Sequence, residues 1–320
     1  MAGSEDWSAR IEAALGERVA LRYRIGERAG RPLFTDAVGG LSEGPPGEIV
    51  VDTRRGPVRV PLDTVVALRV VPPAPPRRAS WSAVTRLENL CADAWPAPVD
   101  EPLGAWRQRA ADGFTARANS TLAVGDPGVP VGVALDHVRT FAARHGLAPR
   151  VQTPVGSPWS TAVEREGWVR DVGHEAGAEV AVLVTDLTPG PAEIALRPEP
   201  EADWWALDGG SPDGAEGYVL TGAGTVGFGV ARSTAGEPVG VVRAAVVEDH
   251  LHLSRLWTAP AARRTGVATA LTAAAAAWGH ARGARWGVLQ VALRNGPALA
   301  LHRGRGWREH HRYHYLVPDV

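Results

Sequence analysis

The 320-residue sequence predicts an α+β fold, in which a small all-β module precedes a mixed, twisted sheet with flanking helices. Two observations predict this fold class. Between residues 16 and 71, short segments of alternating polar and apolar residues are separated by Gly/Pro-rich turns, which is typical of a small barrel. From about residue 226 the predicted order is β-β-β-α-β-α-β, which is typical of a mixed sheet.

The all-β module begins with a short helix predicted over residues 4–15. Four predicted strands follow it: RVALRYRI, EIVVDT, GPVRVPL and TVVALRVV. The proline-rich run PPAPPRR at residues 72–78 ends the module and is predicted to be a linker. The rhythm of these strands resembles an SH3-like barrel over residues 1–75, without a recognisable binding motif.

The middle of the chain starts with an amphipathic helix, SWSAVTRLENLCADAWPA, whose predicted N-cap is Ser80. Cys91 lies on its apolar face with no base paired to it, so we predict a core residue rather than a nucleophile. The predicted elements that follow are a strand FTARANSTLAV, a helix VALDHVRTFAARHG, a strand PRVQTPV, a short helix near STAVEREGW and a strand AEVAVLVTDL. A second proline-rich joint, TPGPAEIALRPEPEAD, then predicts separate units at 80–195 and 200–320.

Composition excludes several classes of function. All 34 basic residues are arginine, and the absence of lysine excludes a Walker-type phosphate loop and a pyridoxal Schiff base. The formal charge of −1 provides no overall attraction to nucleic acid or to an anionic membrane. A single cysteine excludes an internal disulfide and a cysteine-based zinc site. No apolar run is long enough to cross a bilayer and the acidic N-terminus has no signal-peptide pattern, so we expect a cytoplasmic protein without a membrane partner.

Two patterns imitate a cofactor site and a metal site. GAGTVG at residues 222–227 matches the G-x-G-x-x-G fingerprint, but a predicted strand rather than a helix follows it, so we predict no dinucleotide site. Histidines concentrate on two predicted strands, at His250 and His252 and in the segment HHRYH at 310–314. No spacing among them matches a known ligand set, and we predict no metal.

The stretch ARRTGVA carries the strongest chemical signal in the sequence. It lies between the strand LHLSRLWTA and a long alanine-rich helix, where the helix dipole disfavours two arginines unless an anion lies between them. A glycine here lets the backbone approach an oxyanion closely, and the first amides of the helix point at it. The arginines add charge-assisted hydrogen bonds. The predicted anion is a pyrophosphate, bound by Arg263, Arg264, Thr265, Gly266, Val267, Ala268 and Thr269.

Two motifs in this region resemble those of the GNAT superfamily of N-acetyltransferases. Arg263, Gly266 and Ala268 form the R-x-x-G-x-A pattern of its motif A, after a strand that ends near a proline. Further on, NGPALALHRGRGW resembles the superfamily's N-x-x-A-x-x-L-Y-x-x-x-G-F segment at every spacing. The resemblance is clear for residues 218–320, and it is to high-GC bacterial members with an SH3-like N-terminal module and a diverged first GNAT half.

The resemblance implies a GNAT fold and the transfer of an acetyl group from acetyl-CoA to a primary amine, on a small molecule or a protein. The pantetheine arm would pair with the backbone of Leu256, Trp257 and Thr258, where an N–H group polarises the thioester carbonyl. The amine would attack directly in a ternary complex, so no covalent enzyme intermediate is implied.

The position that usually holds a tyrosine, which protonates the departing thiolate, is His302 in this sequence. His302 is therefore the candidate general acid or N–H donor to the sulfur, with Tyr313 and Tyr315 as alternatives. Asn295 either fixes the loop after the preceding strand or bonds to the pantetheine arm.

The general base is open at this point. Asp249 is the candidate catalytic carboxylate, and neither Glu248 nor His252 is excluded by spacing. Without the usual tyrosine, a catalytically inactive acyl-CoA sensor or scaffold with the same fold is also consistent with the sequence. The arginine cluster RRGPVRV has an ordinary surface composition for this chain, so we predict no nucleic-acid partner.

Overall fold

The structure is a computed structural model that describes residues 7–71, 79–173, 177, 179–188, 190 and 193–319. The start of the predicted N-terminal helix, residues 4–6, and the predicted linker at 72–78 lie outside the described residues. The chain divides into two units, Met1–Arg77 and Arg78–Val320. Each unit has a hydrophobic core of its own.

The first unit is a five-stranded antiparallel sheet with one short helix. Its elements are α1 (Trp7–Glu12), β1 (Arg18–Arg28), β2 (Arg31–Glu43), β3 (Glu48–Thr53), β4 (Gly56–Pro61) and β5 (Val65–Val70). The strands pair in the order β4-β3-β2-β1-β5. Among the described residues β4 and β5 do not pair with each other, so this small β module is an open sheet and not a closed barrel. Alternate side chains, including Val19, Leu21 and Leu41, form its core.

The sequence does not predict β2, because Pro32, Gly39 and Gly40 interrupt its alternation. In the structure Gly39 lies against β3, and a Cβ at this position would come within 2.0 Å of the carbonyl oxygen of Asp52. Glycine is therefore required where the two strands meet. The same residue that obscures the strand in the sequence permits its pairing.

The second unit contains the remaining elements. Before residue 200 they are α2 (Trp81–Ala94), β6 (Val99–Leu103), β7 (Trp106–Ala110), β8 (Thr121–Leu122), α3 (Val131–Arg144), β9 (Val151–Pro154), α4 (Pro158–Arg165), β10 (Trp168–Arg170), β11 (Glu179–Asp186) and β12 (Leu196–Arg197). After it they are α5 (Ala202–Asp208), α6 (Gly214–Thr221), β13 (Val226–Arg232), β14 (Pro238–Val247), β15 (His250–Thr258), α7 (Val267–His280), β16 (Trp286–Ala292), α8 (Gly296–Arg303) and β17 (Arg308–Pro318). In the parts of the chain that the structure describes, no helix is both long and apolar enough to cross a membrane.

All strands of the second unit belong to one twelve-stranded sheet, with the order β12-β13-β14-β15-β16-β11-β17-β9-β8-β7-β6 and β10 paired to β17. The order from β13 to β17 is the β-β-β-α-β-α-β that the sequence predicts. Strand β11 lies between β16 and β17 and is antiparallel to both. The predicted boundary between residues 195 and 200 therefore falls inside one continuous sheet.

Between α2 and α3 the sequence does not predict one hairpin, and one predicted strand is wrong. The hairpin β6–β7 was not expected there, and most of the predicted strand FTARANSTLAV is a loop with a 3₁₀ turn at Arg117–Asn119 before the two-residue β8. Asn119 explains the loop, because its Oδ1 accepts hydrogen bonds from the amides of Ala111 at 2.8 Å and Gly113 at 3.1 Å. Its Nδ2 donates to the carbonyl of Thr115 at 2.9 Å. An asparagine side chain that satisfies several backbone groups competes with strand pairing.

The sheet is covered on both faces. Helix α7 packs through Leu271 against Leu251 and Leu253 of β15, and helix α2 packs through Leu87 on the opposite face against a cluster that includes Val288 of β16. Side chains alternate along a strand, so His252 and Ser254 face away from α7. Residues from both faces, such as Leu253 and Ser254, line the candidate site.

Candidate active site

A gap between strands β15 and β16 is the centre of the candidate site. The two strands pair in parallel only as far as His252 opposite Val288. Beyond that point a bulge in β15 places three steps, from Ser254 to Trp257, opposite two steps of β14. A cavity of about 450 Å³ opens beyond the paired segment, lined by β15 residues 253–258 and β16 residues 289–292. Adjacent residues of both strands line it, so residues that face both sides of the sheet contribute to its wall.

The bulge is fixed by an ion pair that the sequence does not predict. Arg255 has the positive φ of 52°, and its Nε and Nη2 donate to the carboxylate of Asp208 at 2.5 and 2.7 Å. The side chain of Asp208 is only 2% exposed, at the last residue of α5. A bidentate arginine–carboxylate pair has a defined geometry. It therefore holds the backbone of β15 in its bulged form beside the cavity.

The N-terminus of helix α7 lies in a second cavity of about 730 Å³. Gly266 has the left-handed φ of 93°, and no described side chain caps the helix. The cavity is lined by Arg263, Arg264, Gly266, Val267, Ala268 and Thr269 of the predicted pyrophosphate site, and by Arg305 after α8. It shares Thr258, Ala268, Ala298 and Leu301 with the cavity at the strand gap, so the two form one continuous groove.

Arg305 is a groove residue that sequence reasoning missed. Its Nη2 donates a hydrogen bond to the hydroxyl of Thr269 in the first turn of α7. Among the described residues, no carboxylate forms an ion pair with Arg263, Arg264 or Arg305. Thr265 differs from the prediction, since its hydroxyl donates to the carbonyl of Ala262 at 2.8 Å and the residue does not line the groove.

Asn295 and His302 both line the cavity at the strand gap. Asn295 caps α8, where its Oδ1 accepts from the amide of Ala298 at 3.2 Å. His302 is 3% exposed and lies edge-on to Trp307, with 5.4 Å between ring centroids. Burial, reinforced by the charge of Arg305, lowers the pKa of His302 to about 4. With this pKa the imidazole is neutral at neutral pH, and its buried Nδ1 has no hydrogen-bond partner among the described residues.

Tyr313 and Asp249 lie away from the strand gap. Tyr313 lines an adjacent, smaller cavity, and burial raises the pKa of its hydroxyl well above the usual value. Asp249 is in the turn between β14 and β15, at the opposite end of β15 from the bulge. Its carboxylate bonds to His250 Nδ1 at 2.8 Å, and neighbouring Glu248 bonds to Arg86 at 2.6 Å. The structure thus does not bring either carboxylate to His302.

His252 is the base candidate on the site-facing side of β15. It is 1% exposed, and neither ring nitrogen has a hydrogen-bond partner among the described residues. Burial, with the charges of Arg117 and Arg243, lowers the pKa of His252 well below its usual value. Ser254, two residues on and on the same face, lines the cavity.

A buried arginine supports this face of the sheet. Arg243 is 0% exposed, and its guanidinium donates to the carbonyls of Leu220 at 2.6 Å and Ala94 at 2.9 Å and to Ser254 Oγ at 3.3 Å. Burial lowers the pKa of Arg243 to about 9. Both carbonyls lie at the C-terminal ends of helices, α6 and α2, where a positive charge is favoured. Arg243 therefore joins the C-terminal ends of α2 and α6 on this face of the sheet.

A third cavity, of about 180 Å³, opens from the same gap, because Gln290 and Ala292 line both. Its other walls are Thr115, Ala116 and Arg117 from the loop before β8, Val180, and Tyr313 and Tyr315 of β17. Residues before position 195 therefore complete the site. Among the described residues, no group of three His, Cys, Asp or Glu side chains is placed to hold a metal ion.

Splayed parallel strands beside a glycine-led, arginine-flanked helix define the class of protein as a GNAT-type acyltransferase fold. The family model described as "Probable histone acetyltransferase Rv0428c C-terminal" matches residues 81–316, and "Rv0428c N-terminal Sm-like domain" matches residues 13–69. The chain belongs to this Rv0428c family of acetyltransferases. The probable histone acetyltransferase Rv0428c of Mycobacterium tuberculosis is 31% identical over 327 residues, which cover 94% of this chain and 95% of that protein.

Of two similar solved structures, the one with a TM-score above 0.5 supports the fold. A GCN5-related N-acetyltransferase from Kribbella flavida superposes with a TM-score of 0.55 at 16% identity, covering 74% of this chain and 95% of its own. A GNAT-family putative acetyltransferase from Novosphingobium aromaticivorans has a TM-score of 0.46 at 18% identity, covering 71% and 96%. The predicted resemblance to the GNAT superfamily and the predicted fold class are confirmed, and the Sm-like match corresponds broadly to the predicted SH3-like module.

Proposed function

We propose that this chain is an acetyl-CoA-dependent N-acetyltransferase that acts on a primary amine. One observation carries the proposal: a continuous groove runs from the uncapped N-terminus of α7 to the gap between β15 and β16. A groove with anion-binding groups at one end and a gap between two strands at the other suits a long phosphorylated thioester whose acyl end must meet a second substrate.

The α7 end of the groove fits the pyrophosphate of acetyl-CoA. None of the described side chains caps the first amides of α7, and the helix dipole adds about 0.3–1 kcal/mol of attraction for an anion. Arg263, Arg264 and Arg305 have donors available for charge-assisted hydrogen bonds, since none is paired with a described carboxylate. The hydrogen bond from Arg305 to Thr269 positions that guanidinium beside the helix.

The strand gap fits the pantetheine arm and the thioester. Past the bulge, Leu256, Trp257 and Thr258 line the cavity, and β16 no longer pairs with β15. Backbone groups of β15 on the edge that faces β16 are therefore available to the pantetheine arm. An N–H group at the bulge would stabilise negative charge on the thioester oxygen. Holding the thioester and the amine together accounts for much of the expected acceleration.

His302 would donate an N–H bond to the departing sulfur rather than act as a charged acid. With a pKa of about 4, the imidazole is neutral at neutral pH, so one of its two ring nitrogens carries a proton, and the residue lines the cavity. His252 is the remaining base candidate, and its lowered pKa makes it a weak proton acceptor. We therefore infer that the amine binds as the free base.

The proposal is tested by mixing the full chain with acetyl-CoA and a panel of primary amines, including a histone-tail peptide because of the relative's name. Release of CoA thiol in equal amount to acetylated amine, measured by mass spectrometry, is the expected result. A sensor or scaffold would bind acetyl-CoA and release no CoA above the rate without protein.

Replacing His302 with phenylalanine is expected to lower kcat about 100-fold, because it removes the N–H donor but keeps a ring of similar size. His302→Gln retains an N–H donor, so its kcat should lie between those of the native chain and His302→Phe. The KM for acetyl-CoA should change little. His280→Phe, at an exposed position of α7, is the matched control and should leave kcat unchanged. Unchanged kcat in His302→Phe would exclude this role.

A further inference from the structure

The third cavity adjoins the gap between β15 and β16. It holds about 180 Å³ and meets the strand gap at Gln290 and Ala292. The third cavity shares no lining residue with the α7 end of the groove. A small molecule in this cavity can therefore direct one end at the strand gap while its other end contacts the cavity wall formed by the loop before β8.

The charge of this wall is positive. Arg117 is the one charged side chain among the described residues that line the cavity, and no described carboxylate forms an ion pair with it. The carboxylate of Asp208 in the adjoining cavity is neutralised by Arg255. Buried Glu88 is already bonded to Gln152 at 2.8 Å and to His311 at 2.7 Å. The cavity thus presents one uncompensated guanidinium.

Arg117 is held in a fixed position. Its guanidinium carbon lies 4.8 Å from the ring centroid of Trp95, and Nη1 donates to Gln290 Oε1. The hydrogen bonds of Asn119 fix the loop that carries it. The guanidinium has five N–H donors in a planar fork, and one of them is accounted for by Gln290. A half-buried, preorganised fork of this kind matches a carboxylate.

From this geometry we propose that the acceptor is a small primary amine that carries a carboxylate, and that Arg117 is its specificity-determining residue. This inference rests on the proposed function. The carboxylate binds the guanidinium, and the amine nitrogen reaches the thioester carbon through the gap. The new C–N bond forms as the C–S bond breaks, and the proton lost by the amine leaves with the CoA thiol. A lysine side chain brings no anion, so a lysine-rich tail is disfavoured.

The test compares acceptors that differ only in charge. The rates of acetylation of ω-amino carboxylates with three to six carbon atoms are measured against the matching ω-amino amides and a histone-tail peptide, using the native chain and Arg117→Met. In the native protein kcat/KM for the best carboxylate should exceed that for its amide about tenfold or more, the range of a charge-assisted hydrogen bond. Arg117→Met should remove this preference through KM, and Arg117→Lys should restore part of it.

Arg139→Met, at an exposed arginine paired with Asp136, is the matched control and should keep the preference. Equal rates on carboxylates and amides, faster acetylation of the peptide, or no transfer to any carboxylate while acetyl-CoA still binds would each overturn the inference. An unchanged preference in Arg117→Met would overturn the role of that residue. Failure of the chain to bind acetyl-CoA would instead overturn the proposed function.

Discussion

Replacing Arg243 with methionine is expected to lower the free energy of unfolding by about 3–5 kcal/mol. Methionine has a similar length but cannot donate, so the carbonyls of Leu220 and Ala94 lose their partner inside the protein. Each buried polar group left unpaired costs about 1–3 kcal/mol. Urea unfolding at neutral pH, followed by tryptophan fluorescence, measures the change.

Arg232→Met on the adjacent strand β13 is the control for loss of an arginine. Arg232 pairs with Asp203, and both side chains are more than 40% exposed. Exposed ion pairs contribute about 0–1 kcal/mol, so this variant should unfold near the native midpoint. If Arg243→Met were equally stable, the buried guanidinium would not be joining α2 to α6 in solution.

Acidification from pH 7.5 to 5.5 is expected to lower the free energy of unfolding by about 4 kcal/mol through three buried histidines, and half-buried His310, whose pKa is also lowered to about 4, adds to this loss. Burial lowers the pKa of His302 and of His314 to about 4 and that of His252 well below its usual value. In the unfolded chain each titrates near 6.5, so the unfolded state takes up protons that the folded state does not. Stability is therefore fully present above pH 6.5 and is lost as the pH falls toward 4, by about 1.4 kcal/mol per histidine at pH 5.5.

Urea unfolding at a series of pH values tests this linkage. His314→Gln should reduce the pH-dependent loss by about one histidine's share, whereas His137→Gln, at an exposed position of α3, should not. A free energy of unfolding that is constant between pH 7.5 and 5.5 would contradict the burial of these imidazoles.

Local patterns explain why much of the C-terminal part could be predicted. The alternation of β13 to β15, the glycine before α7 and the asparagine before α8 each specify a nearby backbone conformation. The anion-binding loop and the residues of α8 are close in sequence to the elements that position them. Their prediction requires no knowledge of distant contacts.

The site residues that were missed depend on distant pairings. Asp208 meets Arg255 across 47 residues, and Arg117 meets Gln290 across 173. The position of β11 between β16 and β17 likewise could not be predicted from its sequence. A buried strand is apolar throughout, and this pattern does not specify which strands pair with it. Asp249 shows the converse error, since it is adjacent to β15 in sequence but lies at the wrong end of the strand.

Calorimetric titration of acetyl-CoA into the native chain and Ala268→Glu tests the central claim most directly. Ala268 lines both parts of the groove in the first turn of α7, where a carboxylate favours the helix but repels a bound phosphate. Ala270→Glu, in the same turn but exposed and outside the groove, is the matched control. We expect binding by the native chain and by Ala270→Glu, and at least a 100-fold weaker affinity in Ala268→Glu, about 2.7 kcal/mol. Equal affinities in all three proteins, or no binding by the native chain, would contradict the assignment of this groove to acetyl-CoA.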